Sequence, residues 1–180
     1  MTSTILALLL SAGLPAGTVL TLDAAHSEIR YTVVHKLHQV EGKSREVEGK
    51  AVVREESIVL SQVRVPVASF RSGDANRDSH MLEAVQAGSF PFATWKGSIR
   101  LGPGGEIPPA PTVMDGEVEF HGVKRSLSVP VRIATQPDGS LRVQATFEVS
   151  LDAHGVDRPS LLFVKVDDAC KLAVDLVLRR

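Results

Sequence analysis

Alternation of apolar and polar side chains runs through most of this chain and limits the folds that it can adopt. In the clearest example, SLRVQATFEVSL, all the apolar residues fall in one phase: Leu141, Val143, Ala145, Phe147, Val149 and Leu151. A period of two is typical of a β-strand that buries one face, so we expect this phase to point into the protein. Similar segments recur along the chain and predict roughly eight strands, many of them about ten residues long.

Long antiparallel strands within one domain must hide their edges, and closure into a barrel does this. A β-sandwich is the competing architecture, but the strand lengths favour the barrel. An eight-stranded barrel has an interior that side chains fill or that holds one small ligand. The sequence therefore predicts an all-β fold, an extended eight-stranded antiparallel β-barrel, over residues 18–180.

One long segment departs from this pattern and predicts a helix across a mouth of the barrel. Met81, Leu82 and Val85 have helical spacing and share one side of such a helix. Gly88 is placed to end it, because glycine tolerates the left-handed conformation that follows many helices. Three nearby residues have short polar side chains that suit the N-cap: Asn76, Asp78 and Ser79.

Three short polar stretches are predicted to connect strands. Residues 35–45, HKLHQVEGKSR, form a polar segment that predicts a loop. The segments HGVK at 121–124 and QPDG at 136–139 predict tight turns, since glycine supplies positive φ and proline presets φ.

The first residues, 1–17, predict a secretory signal peptide. An apolar run is followed by small residues and Pro15, which places cleavage near Ala16 or Gly17. No Lys or Arg precedes the run, and an ordered N-terminal strand or a mis-assigned start is the alternative. With the signal, we expect a periplasmic or secreted protein.

Composition excludes some classes of function. The net charge of −1 and the aromatic content of 4% provide neither the basic surface nor the stacking side chains of a nucleic-acid-binding protein. The single cysteine, Cys170, has no partner for an internal disulfide and is interpreted as a small core residue.

The sequence predicts neither a metal site nor a nucleophilic enzyme. His35 and His38 are three residues apart, so their rings diverge on a strand unless the chain bends between them. No cysteine accompanies them, and the helical zinc-binding motif with two histidines is absent. No glycine-flanked serine elbow occurs, and Cys170 lacks an evident base.

Three stretches resemble the YceI-like family of lipocalin-like, polyisoprenoid-binding proteins. They are TVVHKLHQVEGKSREVEGKAVV at 32–53, SGDANRDSHMLEAVQAGSFPFATWKG at 72–97 and MDGEVEFHGVKRSLSVPVRI at 114–133. The resemblance covers about residues 18–178. It implies a lipocalin-like barrel with a long apolar interior and a bound isoprenoid chain, such as a polyprenyl phosphate or a quinone tail. It also leaves open a homodimer and transient contact with a membrane.

The resemblance implies a set of ligand-binding residues in the barrel and the helix. These are Tyr31, Val33, His35, Arg77, His80, Met81, Val85, Phe92, Val143, Ala145 and Phe147. Arg77 and His80 can meet a polar head at the mouth. In the structural alternative, Asp78 caps the helix and pairs with Arg77.

The resulting hypothesis is a non-enzymatic carrier or storage protein for a long isoprenoid lipid. Two alternatives stay open from the sequence. One is a quinone-linked redox accessory or enzyme that uses the histidines, and the other is a stress-related partner-binding domain with a filled core.

Overall fold

A computed structural model describes residues 13–35, 38–55, 57–161 and 164–180. Most of the predicted signal segment, residues 1–12, therefore lies outside the described residues. Within these ranges the elements are twelve strands, one α-helix and four short 3₁₀-helices. The strands are β1 (Val19–Leu22), β2 (Glu28–His35), β3 (His38–Ser44), β4 (Glu48–Arg54), β5 (Ser57–Pro66), β6 (Phe92–Arg100), β7 (Thr112–Phe120), β8 (Val123–Thr135), β9 (Leu141–Ser150), β10 (Ser160–Leu161), β11 (Val164–Lys165) and β12 (Ala169–Arg179).

Eight of the strands close into an antiparallel ring, which confirms the predicted barrel. The order around the ring is β1, β4, β5, β6, β7, β8, β9 and β12, and β12 returns to β1 through Leu22 opposite Leu178. The hairpin of β2 and β3 extends the sheet from the other half of β12, where Tyr31 lies opposite Leu172. Ring closure leaves β1 and β12 without an unpaired edge where they meet.

The predicted loop at residues 35–45 is wrong, because most of it forms β3. His38 pairs with His35, and Ser44 pairs with Ile29 across the hairpin. The stretch is polar, but backbone hydrogen bonds to β2 stabilise a strand whatever the polarity of the outward side chains. The predicted turns are confirmed: His121 and Gly122 both have positive φ between β7 and β8, and Gly139 has positive φ in the next turn.

The single described α-helix, α1 (Ala75–Ala84), joins β5 to β6, as the sequence predicted, but its ends differ from the prediction. Asp74 is the N-cap, and its carboxylate accepts the Arg77 backbone N–H at 3.0 Å. Asp78 instead accepts the Ser72 backbone N–H at 2.9 Å, so it holds the preceding loop. The described helices include none long and apolar enough to cross a membrane.

The helix ends before Gly88, which the sequence predicted as its terminator. Gln86 takes the left-handed conformation, with φ of 48°. The Ala87 N–H donates to the Leu82 carbonyl and the Gln86 N–H to the Glu83 carbonyl, which is the Schellman pattern. These two hydrogen bonds satisfy helix carbonyls at the end and outweigh the poorer fit of glutamine to positive φ.

The barrel has a closed end opposite α1. Its interior there is filled by fully buried side chains from five strands: Leu20, Val53, Ile99, Leu141 and Leu178. Leu14 lies beside this end, buried, and its backbone N–H donates to the Gly105 carbonyl at 3.0 Å. The barrel is therefore packed at one end, whereas α1 covers the other.

Candidate functional site: an apolar cavity beneath the helix

A cavity of about 700 Å³ occupies the barrel between the closed end and α1. Its wall is formed mainly by inward side chains of the strands, among them Ile29, Val63, Val65, Met114, Val118, Val129, Val131, Val149, Leu172, Val174 and Leu176. The volume lies within the range of small-molecule sites, which are concave, largely apolar and carry few polar groups. The arrangement can remove an apolar ligand from water.

The structure brings together on the cavity wall every predicted ligand-binding residue except Phe92. Those on the wall are Tyr31, Val33, His35, Arg77, His80, Met81, Val85, Val143, Ala145 and Phe147. The inward phase predicted for β9 is confirmed, since Val143, Ala145, Phe147 and Val149 all face the cavity. Contact of these residues with a ligand stays a prediction.

Phe92 lies outside the cavity, and its assignment is corrected. Its side chain is 38% exposed, and the Arg64 guanidinium carbon lies 4.9 Å from the centre of its ring. Side chains alternate along a strand, so with Ala93 and Trp95 on the cavity wall Phe92 must point outward. The sequence held a signal for this, because the apolar Ile99 is in the same period-two phase as Trp95 and in the opposite phase to Phe92. Ile99 is indeed buried, so the shared phase could have identified Trp95 as the inward aromatic residue.

Polar side chains collect at the end of the cavity that α1 covers, which we call the mouth. They belong to His35, His38, Asp74, Asn76, Arg77, His80 and Ser160. His35 and His38 do not share one strand, because His35 ends β2 and His38 begins β3 as its cross-strand partner. No group of three or more histidine, cysteine or acidic residues suited to a metal ion occurs in the described part of the chain.

Arg77 at the mouth retains hydrogen-bonding capacity. Its Nε donates to the Ser72 hydroxyl at 3.1 Å, and its Nη2 lies 3.9 Å from the Asp74 carboxylate. The predicted pairing of Arg77 with Asp78 is therefore wrong, because Asp78 faces the backbone of Ser72. The side chain of Arg77 is 42% exposed, so it can reach a polar group arriving from solvent.

Tyr31 places a buried hydroxyl near the mouth. Its ring lies over Gly42, its cross-strand partner, where a Cβ atom would come within 2.7 Å of the hydroxyl oxygen. The Phe70 ring packs at 5.4 Å between centroids. Burial, with a smaller contribution from the nearby negative charge of Asp78, raises the pKa of Tyr31 to about 12. The phenol is therefore neutral, and its hydroxyl has no hydrogen-bond partner among the described residues.

Cys170 also lies on the cavity wall, as a buried thiol near the start of β12. Burial raises its pKa to about 12, so the thiol is protonated at neutral pH and is a poor nucleophile. This agrees with the interpretation of Cys170 as a small core residue, since it belongs to the buried cluster.

Two histidines lie away from the cavity and have structural contacts. The His121 Nδ1 donates to the His154 carbonyl oxygen at 3.0 Å, and the His154 Nδ1 donates to the Ser150 carbonyl oxygen at 2.8 Å. A carbonyl only accepts, which assigns the proton to Nδ1 in both rings. The first bond joins the turn between β7 and β8 to the segment after β9, and the second fixes that segment to the end of β9.

A family model described as the YceI-like domain matches residues 20–178. Among curated proteins no significant match is found.

Solved structures share the fold at low sequence identity. BcnA of Burkholderia cenocepacia is 20% identical, with a TM-score of 0.71, over 87% of this chain and 98% of that chain. A polyisoprenoid-binding domain of Saccharophagus degradans, implicated in plant cell wall breakdown, is 12% identical, with a TM-score of 0.72, over 89% and 97%. A Campylobacter jejuni YceI protein is 13% identical, with a TM-score of 0.62, over 82% and 89%.

Proposed function

Because the chain belongs to the YceI-like family, we propose that it binds a long isoprenoid lipid in its barrel and carries or stores that lipid without chemical change. The observation that supports this most is the apolar cavity of about 700 Å³ with its polar groups collected at one end. This separation of an apolar wall from a polar mouth suits an amphiphile whose tail enters the barrel and whose head stays at the mouth. The polyisoprenoid-binding domain of Saccharophagus degradans shares the fold.

Burial of the tail supplies the binding energy. Each CH₂ group moved from water into an apolar site contributes about 0.8 kcal/mol, offset by the ordering of a flexible chain. A polyprenyl phosphate or a quinone would place its head near Arg77 and His80. The cavity disfavours the alternative of a partner-binding domain with a filled core.

A second candidate is a quinone-linked redox accessory, which the histidines at the mouth favour. Native mass spectrometry of protein purified under mild conditions separates these possibilities, because a retained lipid adds its own mass. A retained polyprenyl phosphate supports the carrier. A retained quinone is compatible with both candidates, and a redox assay of the complex then distinguishes them. Protein that never retains or takes up an isoprenoid contradicts the proposal.

Replacement of Arg77 with Leu should weaken binding of a polyprenyl phosphate more than binding of squalene, an isoprenoid hydrocarbon. The expected difference is about 1–3 kcal/mol, the scale of a hydrogen bond to a charged group. The Asp74 cap uses the backbone N–H of residue 77, which the substitution retains, so stability should change little. Lipid titrations of both proteins measure the difference.

Arg100→Leu provides the control for Arg77→Leu. Arg100 is an exposed arginine at the end of β6 that lies away from the mouth. This control should bind both lipids as the wild type does. Equal losses for the two lipids in Arg77→Leu, with a large drop in thermal stability, would show that Arg77 only holds the helix.

We further propose a periplasmic or secreted location, with transient membrane contact during lipid exchange. N-terminal sequencing of protein from its natural host should find a mature chain that begins near Thr18. Cleavage there removes Leu14 and its hydrogen bond to Gly105. A cytoplasmic protein that retains Met1 would contradict the proposed export.

A further inference from the structure

Trp95 lies on a platform made by two glycines in adjacent strands. Gly97 of β6 pairs directly with Gly116 of β7. A Cβ atom built on Gly97 would lie 2.7 Å from the indole Nε1 and 2.9 Å from Cε2 and Cζ2. One on Gly116 would lie 2.5 Å from Cζ2. The indole therefore lies flat against the inner surface of the sheet, in space that only glycines leave open.

The indole also approaches a second aromatic ring across the cavity. The Phe147 ring of β9 lies 6.3 Å from it between centroids, at an interplanar angle of 43°. In the ring of strands, β7 and β8 separate β6 from β9, so the two side chains come from distant parts of the wall. Both line the cavity, and Ala145 and Val143 continue its wall from Phe147 toward the closed end.

We propose that Trp95, seated on the Gly97–Gly116 pair, sets how far a lipid chain enters the barrel and therefore how long a chain the cavity accepts. The inference rests on the proposed binding of isoprenoid lipids and adds a residue that determines chain length. Strand β6 begins on the side of α1 and runs toward Ile99 in the closed end, and the Trp95 indole extends over Gly97 in that direction. A tail that enters from the mouth meets the gap between Trp95 and Phe147 before it reaches Ala145 and Val143.

Two substitutions should change the accepted length in opposite directions. Trp95→Leu removes the indole and opens the space above the glycine pair, so longer chains should gain affinity. Gly97→Ala places a methyl group where the indole now lies. The nearest atoms to that methyl all belong to the Trp95 side chain, so the indole must move into the cavity and longer chains should lose affinity.

The probes are the isoprenoid alcohols farnesol, geranylgeraniol and solanesol, in order of increasing length. Each additional buried CH₂ strengthens binding by about fourfold, so a change of one isoprene unit should shift relative affinities by about tenfold or more. Trp95 is the only tryptophan of the chain, so its fluorescence reports binding to the wild type and to Gly97→Ala. Native mass spectrometry with competing alcohols measures all variants, including Trp95→Leu.

Phe92→Ala is the matched control, because Phe92 is an aromatic residue of the same strand that lies outside the cavity. It should retain the length preference of the wild type. Opposite shifts in Trp95→Leu and Gly97→Ala support the inference. If Trp95→Leu does not fold, the shift toward shorter chains in Gly97→Ala decides the question alone.

Two results would overturn the inference, and they can be told apart. Folded variants that bind the alcohols with the wild-type length preference would assign Trp95 to packing only and leave the proposed function intact. Failure of the wild type to bind any of the three alcohols would overturn the proposed function, and the inference with it.

Discussion

Replacement of Ala145 with Trp should abolish most lipid binding while the barrel still folds. Ala145 is in the middle of β9 with its side chain on the cavity wall, and the cavity of about 700 Å³ has room for an indole. An indole there displaces several methylene groups of a tail. The expected loss is about 2–3 kcal/mol, or roughly a hundredfold in affinity. Lipid titration measures this loss, and circular dichroism tests the fold.

Glu148→Trp tests whether the effect of Ala145→Trp comes from the cavity. Glu148 belongs to the same strand, but its side chain is exposed on the outer surface. The same tryptophan there should leave lipid affinity within about twofold of the wild type, since surface substitutions usually have small effects. Normal binding by Ala145→Trp would show that the ligand does not use this part of the barrel.

Leu178→Ala should destabilise the ligand-free protein far more than Leu172→Ala, although both are leucines of β12. Leu178 is 1% exposed and packs in the closed end, so its truncation should cost about 3–5 kcal/mol. Leu172 is partly buried and faces the existing cavity. Its side chain has fewer packed neighbours to lose, and we expect a cost of about 1–2 kcal/mol. Urea denaturation gives both values.

The two leucines are controls for each other, because they share chemistry, strand and inward phase. Similar losses of unfolding free energy would mean that the interior is packed evenly, contrary to the division into a cavity and a closed end. Saturating lipid should raise the stability of both variants if both still bind, since a ligand that binds only the folded state stabilises it.

Local pattern predicted the wall of the barrel well because each strand carries its own alternation. The phase of Val143, Ala145 and Phe147 needs no information from distant residues, and the structure places all three inward. The turn at His121 and Gly122 was equally local, since a glycine beside a polar residue favours positive φ. Predictions of this kind depend only on residues that are close to one another in the sequence.

Predictions were wrong where distant contacts or competing local bonds decided the result. Residues 38–44 look like a polar loop but pair with β2. Several nearby residues had side chains suited to the N-cap, and the structure has Asp74 there, whereas Asp78 binds the backbone of Ser72. Phe92 was assigned to the cavity, whereas strand alternation selects Trp95.

The sequence by itself determined most of the strands, the inward face of β9, the two tight turns and the existence of one α-helix between β5 and β6. Only the tertiary structure decided that the inward faces enclose a cavity at one end and a packed core at the other. The space inside a barrel depends on how strands distant in sequence, such as β1 and β12, come together. Period-two alternation predicts the same inward direction for Leu172 on the cavity wall and for Leu178 in the closed end. The alternation gives the direction of a side chain but not whether other side chains fill the space in front of it.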